Sequence, residues 1–166
     1  MKKKFALTFV SLASVALLAA CGEVSTTGNS GSSSANAGTE VGKTLKETGD
    51  VASYGTAEQK GAQLAVDEIN KAGGVDGKQI EVTDKDNKSE LSEAATVSTN
   101  LVTQAKVNAI VGPATSGGTG AAVTNAAKAS VPLVTPSGTQ DDLTKGQEYL
   151  FRATFIDSFQ GKILSK

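Results

Sequence analysis

Two loops rich in serine and threonine carry the side chains best suited to chemistry. Residues 112–120 include Ser116 and follow a short apolar run, and residues 135–142 follow another. The first loop has the glycine spacing of a phosphate-binding loop, but Gly118 stands where such a loop needs its lysine, so nothing neutralises a triphosphate. What remains is amides, hydroxyls and the start of a predicted helix, a combination suited to a single carboxylate.

The absence of histidine from the sequence excludes several kinds of catalytic site. Ser-His-Asp and Cys-His nucleophilic systems, imidazole general bases and histidine-ligated zinc all require that side chain. Ser116 has neither a lysine nor a pair of carboxylates placed beside it, so an exported enzyme that uses this loop is disfavoured. The sequence therefore predicts that the protein is not an enzyme and has no cofactor.

A short polar segment resembles the opening of a calcium-binding loop. Lysine occupies one ligand position and serine replaces the turn glycine, which argues against calcium. We therefore predict no metal site, and a solvated turn that caps the next helix. The residues in question are Asp84, Asp86, Asn87 and Glu90.

The only cysteine, Cys21, ends a segment typical of an export signal. Lys2 to Lys4 precede an uncharged run over residues 5–18, which is short for a membrane span. The sequence Leu-Ala-Ala-Cys at 18–21 resembles the lipobox of bacterial lipoproteins, in which the cysteine is acylated and becomes the new N-terminus. We therefore predict a signal peptide over residues 1–20 and export, with lipid on Cys21 anchoring the protein to the outer face of the bacterial cell membrane.

The composition after Cys21 changes twice along the chain. Residues 22–39 are mostly glycine, serine, threonine and asparagine and cannot bury enough apolar surface to fold, so residues 21–42 are predicted to be a lipidated flexible tether. Residues 43–166 are long enough for one small domain. Without the leader the chain is mildly acidic, so nucleic acid is not an expected partner.

Helical and strand patterns alternate through the predicted domain. This order indicates βαβ units and a parallel sheet, in which ligands collect at the carboxyl ends of the strands. Both serine- and threonine-rich loops occupy that position. The predicted helices cover about 57–72, 89–104 and 118–130, with another from about 157, and the predicted strands cover 78–83, 107–111, 131–135 and 149–154.

Five separated segments together resemble the first lobe of the branched-chain amino-acid-binding proteins. These proteins are the substrate receptors of ATP-driven (ABC) importers and have a periplasmic-binding-protein type I fold. The resemblance covers roughly residues 49–166, and its order and spacing make it specific. The segments are 54–55, 67–78, 112–118, 135–139 and 151–152.

The resemblance implies a role for each of four residues. Ser116 matches the serine that holds the α-carboxylate of the ligand through its hydroxyl and amide. Thr139 matches the threonine that binds the polar head of the ligand, and the backbone of Ser137 supplies a carbonyl for the α-ammonium group. Tyr54 matches an aromatic residue near the aliphatic side chain. The implied ligand is a small amino acid, on the family pattern a branched-chain one (leucine, isoleucine or valine), and the implied protein partner is an ABC-transporter permease.

Two features of the sequence depart from the family pattern. The family begins with a buried strand, but residues 39–47 offer only Val41 and Leu45 as large apolar residues. Family members also continue into a second lobe, whereas this sequence ends at Lys166. The predicted fold is therefore α/β, a parallel three-layer βαβ sandwich of the first lobe, truncated and with its first strand doubtful. An incomplete site with weak leucine binding is expected; the alternative is a surface-anchored, non-catalytic interaction module or a non-functional remnant.

Overall fold

Five parallel strands alternate with four helices in a computed structural model that describes residues 38–45 and 48–166. The predicted signal peptide, Cys21 and most of the predicted tether lie outside the described residues. The strands are β1 (Thr39–Lys43), β2 (Ile80–Asp84), β3 (Ala109–Val111), β4 (Leu133–Thr135) and β5 (Leu150–Arg152). The helices are α1 (Ala52–Lys71), α2 (Leu91–Asn100), which continues as a π-helical turn (Leu101–Ala105), α3 (Ser116–Lys128) and α4 (Asp157–Leu164).

The strand order is β2-β1-β3-β4-β5, so β1 is an interior strand of the sheet. It pairs with β2 along its whole length and with β3 from Val41 onwards. The first strand, which the sequence left doubtful, is therefore present, and that doubt is wrong. Because β1 begins at Thr39, the predicted boundary between tether and lobe, after residue 42, lies inside this strand.

Tertiary contacts explain why β1 is hard to recognise from its sequence. A Cβ at Gly42 would lie 2.9 Å from the Leu101 side chain, so the strand has glycine where the helix after α2 packs against it. Lys43 points to the opposite face and is only 1% exposed. Its ammonium group lies 3.2 Å from Asp84 Oδ1 and donates to Gln63 Oε1 at 3.1 Å. Neither Gly42 nor Lys43 has the apolar side chain expected in a buried strand.

The sheet separates two layers of helices. Its Gly42 face packs against α2 and α3, and this layer contains the main hydrophobic core. The Lys43 face meets α1 through Gln63, which gives the three layers expected from the alternating pattern. The core residues are Val97, Leu101, Val107, Ile110, Ala122, Val123, Ala126, Leu133 and Leu150.

Two local predictions at helix starts are wrong. Helix α1 begins at Ala52, five residues before the predicted start, and its N-cap Val51 makes no side-chain capping bond. Asn87 is buried and donates to the Thr44 carbonyl oxygen at 3.2 Å, so it does not belong to a solvated turn. The N-cap of α2, Glu90, likewise forms no side-chain capping bond.

The part of the chain that the structure describes contains neither a membrane-spanning helix nor a metal-binding cluster. No helix there has both the length and the apolar character needed to cross a bilayer. No group of histidine, cysteine, aspartate and glutamate residues there is arranged to hold a metal ion. Asp84 instead pairs with Lys43, and Asp86 accepts hydrogen bonds from the Thr48 hydroxyl and the Lys88 amide.

Candidate functional site

An open cleft of about 640 Å³ lies at the carboxyl ends of the strands, where β3, β4 and β5 lead into their following segments. The four residues that the sequence singled out as ligand contacts all line this cleft, so the structure brings them together. Among the described residues, those lining it carry no formal charge. The lining residues are Val51, Tyr54, Ala114, Thr115, Ser116, Ser137, Thr139, Thr154, Phe155 and Gln160.

A buried hydroxyl network joins the loop after β3 to the end of β4. The Thr119 hydroxyl lies 3.0 Å from both the Pro113 carbonyl oxygen and Thr135 Oγ1, and the Thr135 hydroxyl donates to the same carbonyl at 2.9 Å. The Gly138 amide donates to Thr135 Oγ1 at 3.0 Å. Both threonines are fully buried. Their hydroxyls are therefore used inside the protein, where they fix the two loops relative to each other.

Ser116 is the first residue of α3, so it lies at the positive end of the helix dipole. The preceding residue, Thr115, caps the helix by accepting from the Gly118 amide at 3.3 Å. Ser116 Oγ accepts from the Gln140 amide at 3.1 Å, which links the first loop to the second. Since a hydroxyl can accept and donate at once, this contact leaves the Ser116 proton able to point toward a ligand.

Ser137 and Thr139 are held by contacts that differ in kind. The Ser137 hydroxyl lies 3.0 Å from the Ala114 carbonyl oxygen and also contacts Oε1 of Glu58. This side chain is thus engaged with the protein, and the use of the Ser137 backbone for a ligand stays a prediction. The Thr139 carbonyl accepts from the Asp157 amide at 3.0 Å, which ties the loop to the start of α4.

Arg152, at the end of β5, forms hydrogen bonds with the backbone of the second loop. Its guanidinium group donates to the carbonyl oxygens of Gln140 at 2.6 Å and Gly138 at 3.3 Å. Asp141 in the same loop accepts from the Ser158 amide at 3.0 Å. Hydrogen bonds from Ser158 lower the pKa of Asp141 below its ordinary value of 3.8, with a smaller contribution from the charge of Arg152.

Tyr54 lies in the first turn of α1 and is 64% exposed at the edge of the cleft. Val51, Ala114 and Phe155 also add apolar surface to the cleft. A cleft lined both by apolar side chains and by hydroxyls at a helix N-terminus suits a small molecule that is partly apolar and carries an anionic group.

Sequence reasoning missed several residues of the cleft. Val51, Thr154, Phe155 and Gln160 line it without belonging to either predicted loop. Thr154 and Phe155 follow β5 after Ala153, so the rule that ligands collect at the carboxyl ends of strands could have identified them. Glu58 had no such signal, because its contact with Ser137 spans 79 residues.

Solved structures similar to this chain include substrate-binding and leucine-binding proteins. The branched-chain amino acid transporter substrate-binding protein LivJ from Streptococcus pneumoniae, in complex with isoleucine, is 72% identical with a TM-score of 0.76, and the match covers 77% of this chain and 37% of that chain. The leucine-binding protein LivK from Thermotoga maritima is 31% identical with a TM-score of 0.70, over 76% of this chain and 35% of that one.

Proteins with similar sequences are also named as amino-acid-binding proteins. The leucine-, isoleucine-, valine-, threonine- and alanine-binding protein of Pseudomonas aeruginosa is 35% identical over 120 residues, which is 72% of this chain and 32% of that protein. The chain therefore spans about a third of the length of the relatives it matches. The profile of the periplasmic binding protein family matches residues 39–162. With this match over most of its length, the chain belongs to the periplasmic binding protein family.

Proposed function

We propose that this chain forms the first lobe of the substrate-binding site of an ABC importer, and that the substrate is a branched-chain amino acid such as leucine, isoleucine or valine. The observation that carries the proposal is the convergence of Tyr54, Ser116, Ser137 and Thr139 on one cleft. The names of the relatives support the substrate class, because they are binding proteins for leucine, isoleucine and valine.

The proposed contacts match the charges of an amino-acid zwitterion. The Ser116 hydroxyl and the N-terminus of α3 hold the carboxylate, and Thr139 binds the polar head from the facing loop. The carbonyl of Ser137 accepts from the ammonium group, and Tyr54 packs along the aliphatic side chain. The described residues that line the cleft carry no formal charge, so dipoles make the direct contacts with each ligand charge in this assignment.

The proposed role is non-catalytic, and the protein acts by binding and delivery. The relatives are binding proteins, which supports this role. No histidine is present anywhere in the sequence, and the cleft carries no charged side chain among the described residues. A permease of the importer is the proposed protein partner.

The proposed location is the outer face of the bacterial cell membrane. Membership of the periplasmic binding protein family indicates export. The basic start, the apolar run and the Leu-Ala-Ala-Cys sequence at 18–21 support lipid attachment at Cys21. A receptor held in this way stays near its importer instead of diffusing away.

NMR titration of the chain with L-leucine tests the proposed site, because it detects weak as well as tight binding. Leucine-dependent shifts are expected at the amides of Ser116 and Thr139. Ser116→Ala should raise the Kd at least about tenfold, since a hydrogen bond to a charged group contributes about 1.5–3 kcal/mol. Ser92→Ala, on the exposed surface of α2, is the matched control and should leave the Kd unchanged.

Two results would contradict this function. The first is a wild-type spectrum in which saturating leucine moves no amide in either loop. The second is an equal rise in the Kd for leucine in Ser116→Ala and Ser92→Ala, which would show that the Ser116 hydroxyl does not bind the carboxylate. Methyl-β-D-glucoside, which is uncharged, serves as a negative control ligand because the proposed contacts depend on a carboxylate and an ammonium group.

A further inference from the structure

We propose that Glu58 is a positioning residue that links α1, through the Ser137 hydroxyl, to both loops of the cleft and, together with the buried bonds among Pro113, Thr119 and Thr135, sets the spacing of the ligand-binding groups. The inference rests on the proposed function for the identity of the ligand. The contacts that carry it exist without any ligand, and they can be tested in the same state.

Glu58 is linked to both loops through one hydroxyl group, that of Ser137. Its Oε1 contacts the Ser137 hydroxyl, which lies 3.0 Å from the Ala114 carbonyl oxygen. The other carboxyl oxygen, Oε2, is excluded from solvent, and Ala114 is only 2% exposed. The contact is therefore partly shielded from water, and such a contact is held in one geometry more firmly than an exposed one.

The two loop residues of this contact lie close in sequence to the proposed ligand groups. Ala114 precedes Ser116 by two residues, and Ser137 precedes Thr139 by two residues. A shift of either loop at the Glu58 contact therefore changes the distance between the Ser116 and Thr139 side chains. A displacement of about 1 Å in a binding group is enough to weaken a site substantially.

The same contact also positions the aromatic side of the cleft. Tyr54 and Glu58 are four residues apart on α1 and therefore share one face of the helix. Within α1, all of which the structure describes, only Gly55 is buried, so packing alone holds this helix weakly. Polar contacts between α1 and the rest of the protein then have more influence on where Tyr54 lies. Glu58, Gln63 and Asn70 make such contacts, and Glu58 is the nearest of the three to Tyr54 in sequence.

Amide hydrogen exchange of the ligand-free chain tests this role. Glu58→Ala should increase exchange about tenfold at Gly138 and Gln140, whose amides donate to Thr135 Oγ1 and Ser116 Oγ. The Leu133 amide, which is bonded within the sheet, should be unchanged. Glu58→Gln should behave like wild type, because the amide keeps a polar contact with Ser137.

Two further variants keep the experiment decisive. Ser137→Ala removes the Glu58 contact and also the contact between Ser137 and Ala114, so it should raise exchange at Gly138 and Gln140 at least as much as Glu58→Ala does. Adding Glu58→Ala to Ser137→Ala should have no further effect, because the partner of Glu58 is already absent. Glu68→Ala removes an exposed glutamate of the same helix and should have no local effect. The proposal is overturned if Glu58→Ala leaves Gly138 and Gln140 unchanged, or if exchange at Leu133 rises by the same factor.

Leucine titration of the same variants separates this inference from the proposed function. Faster loop exchange in Glu58→Ala, with no leucine-dependent shift in wild type, supports the positioning of the loops and contradicts the proposed substrate. Leucine binding in wild type with unchanged loop exchange in Glu58→Ala supports the proposed substrate and overturns the positioning role. If the proposed substrate and the positioning role are both correct, Glu58→Ala should raise the Kd for leucine several-fold, and Glu58→Gln should have the Kd of wild type.

Discussion

Replacing Asp84 by alanine should destabilise the chain far more than replacing its buried partner Lys43 by methionine. The ammonium group of Lys43 lies 3.2 Å from Asp84 Oδ1, and the two side chains are 2% and 41% exposed. At this distance an effective dielectric constant of about 20 gives an attraction of roughly 5 kcal/mol. The cost of removing the ammonium group from water is of similar size, so the pair as a whole contributes little.

The two substitutions differ because only one leaves a buried charge behind. Asp84→Ala leaves the ammonium group with Gln63 as its remaining described contact, and we expect a loss of about 3 kcal/mol, the low end for a broken buried pair because Asp84 is partly exposed. Lys43→Met replaces the charge with an apolar chain of similar length and should change stability by less than about 1 kcal/mol. Lys43→Met should also rescue Asp84→Ala in the double variant.

Urea and thermal denaturation followed by circular dichroism measure these differences. A loss of about 3 kcal/mol corresponds to a Tm roughly 10 °C lower for a domain of this size. Asp142→Ala is the matched control, because its ion pair with Lys145 is 3.9 Å long with side chains 77% and 81% exposed, and its removal should cost less than about 1 kcal/mol. Equal losses for Lys43→Met and Asp84→Ala would refute the reasoning, since the buried charge would then not be the cause.

Two further predictions concern the helix after β5 and the N-terminus. Because the Ser158 hydrogen bonds lower the pKa of Asp141, its stabilising effect is present above pH 3.8 and disappears as the pH falls through the lowered pKa. Urea denaturation should therefore give Asp141→Ala a lower free energy of unfolding than wild type at about pH 6 and the same free energy in acid. A difference that does not change with pH would contradict this linkage. Cys21→Ser should move the protein from the membrane fraction to the soluble fraction of a bacterial host, whereas unchanged fractionation would rule out a lipid anchor at Cys21.

Most strands and both loops of the cleft could be predicted because their signals are local. The apolar runs before residues 112 and 135 identify buried strands, and the small polar residues after them identify loops at the carboxyl edge. β1 could not be predicted from local pattern. Gly42 fits because the Leu101 side chain packs against it, and Lys43 fits because Asp84 pairs with it, and both partners lie far along the chain. Local pattern carries no information about such partners.

The same distinction applies to the cleft. Ser116 and Thr139 belong to short segments with a recognisable spacing, so their proximity followed from parallel topology. The supporting contacts of Glu58 and Arg152 depend on the final packing of α1 and β5 against the loops. In the sequence Glu58 resembles an ordinary surface charge, and the segment 151–152 does not indicate which loop Arg152 contacts. Only the folded arrangement shows these contacts.

The buried bonds among Pro113, Thr119 and Thr135 have a thermodynamic consequence for the proposed ligand binding. They make the segments that carry Ser116 and Thr139 a single preorganised unit before any ligand arrives. The conformational entropy of ordering these segments is then lost during folding and is not subtracted from the free energy of association. Weak individual contacts at this surface can accordingly contribute more of their intrinsic strength to affinity than they would on flexible loops.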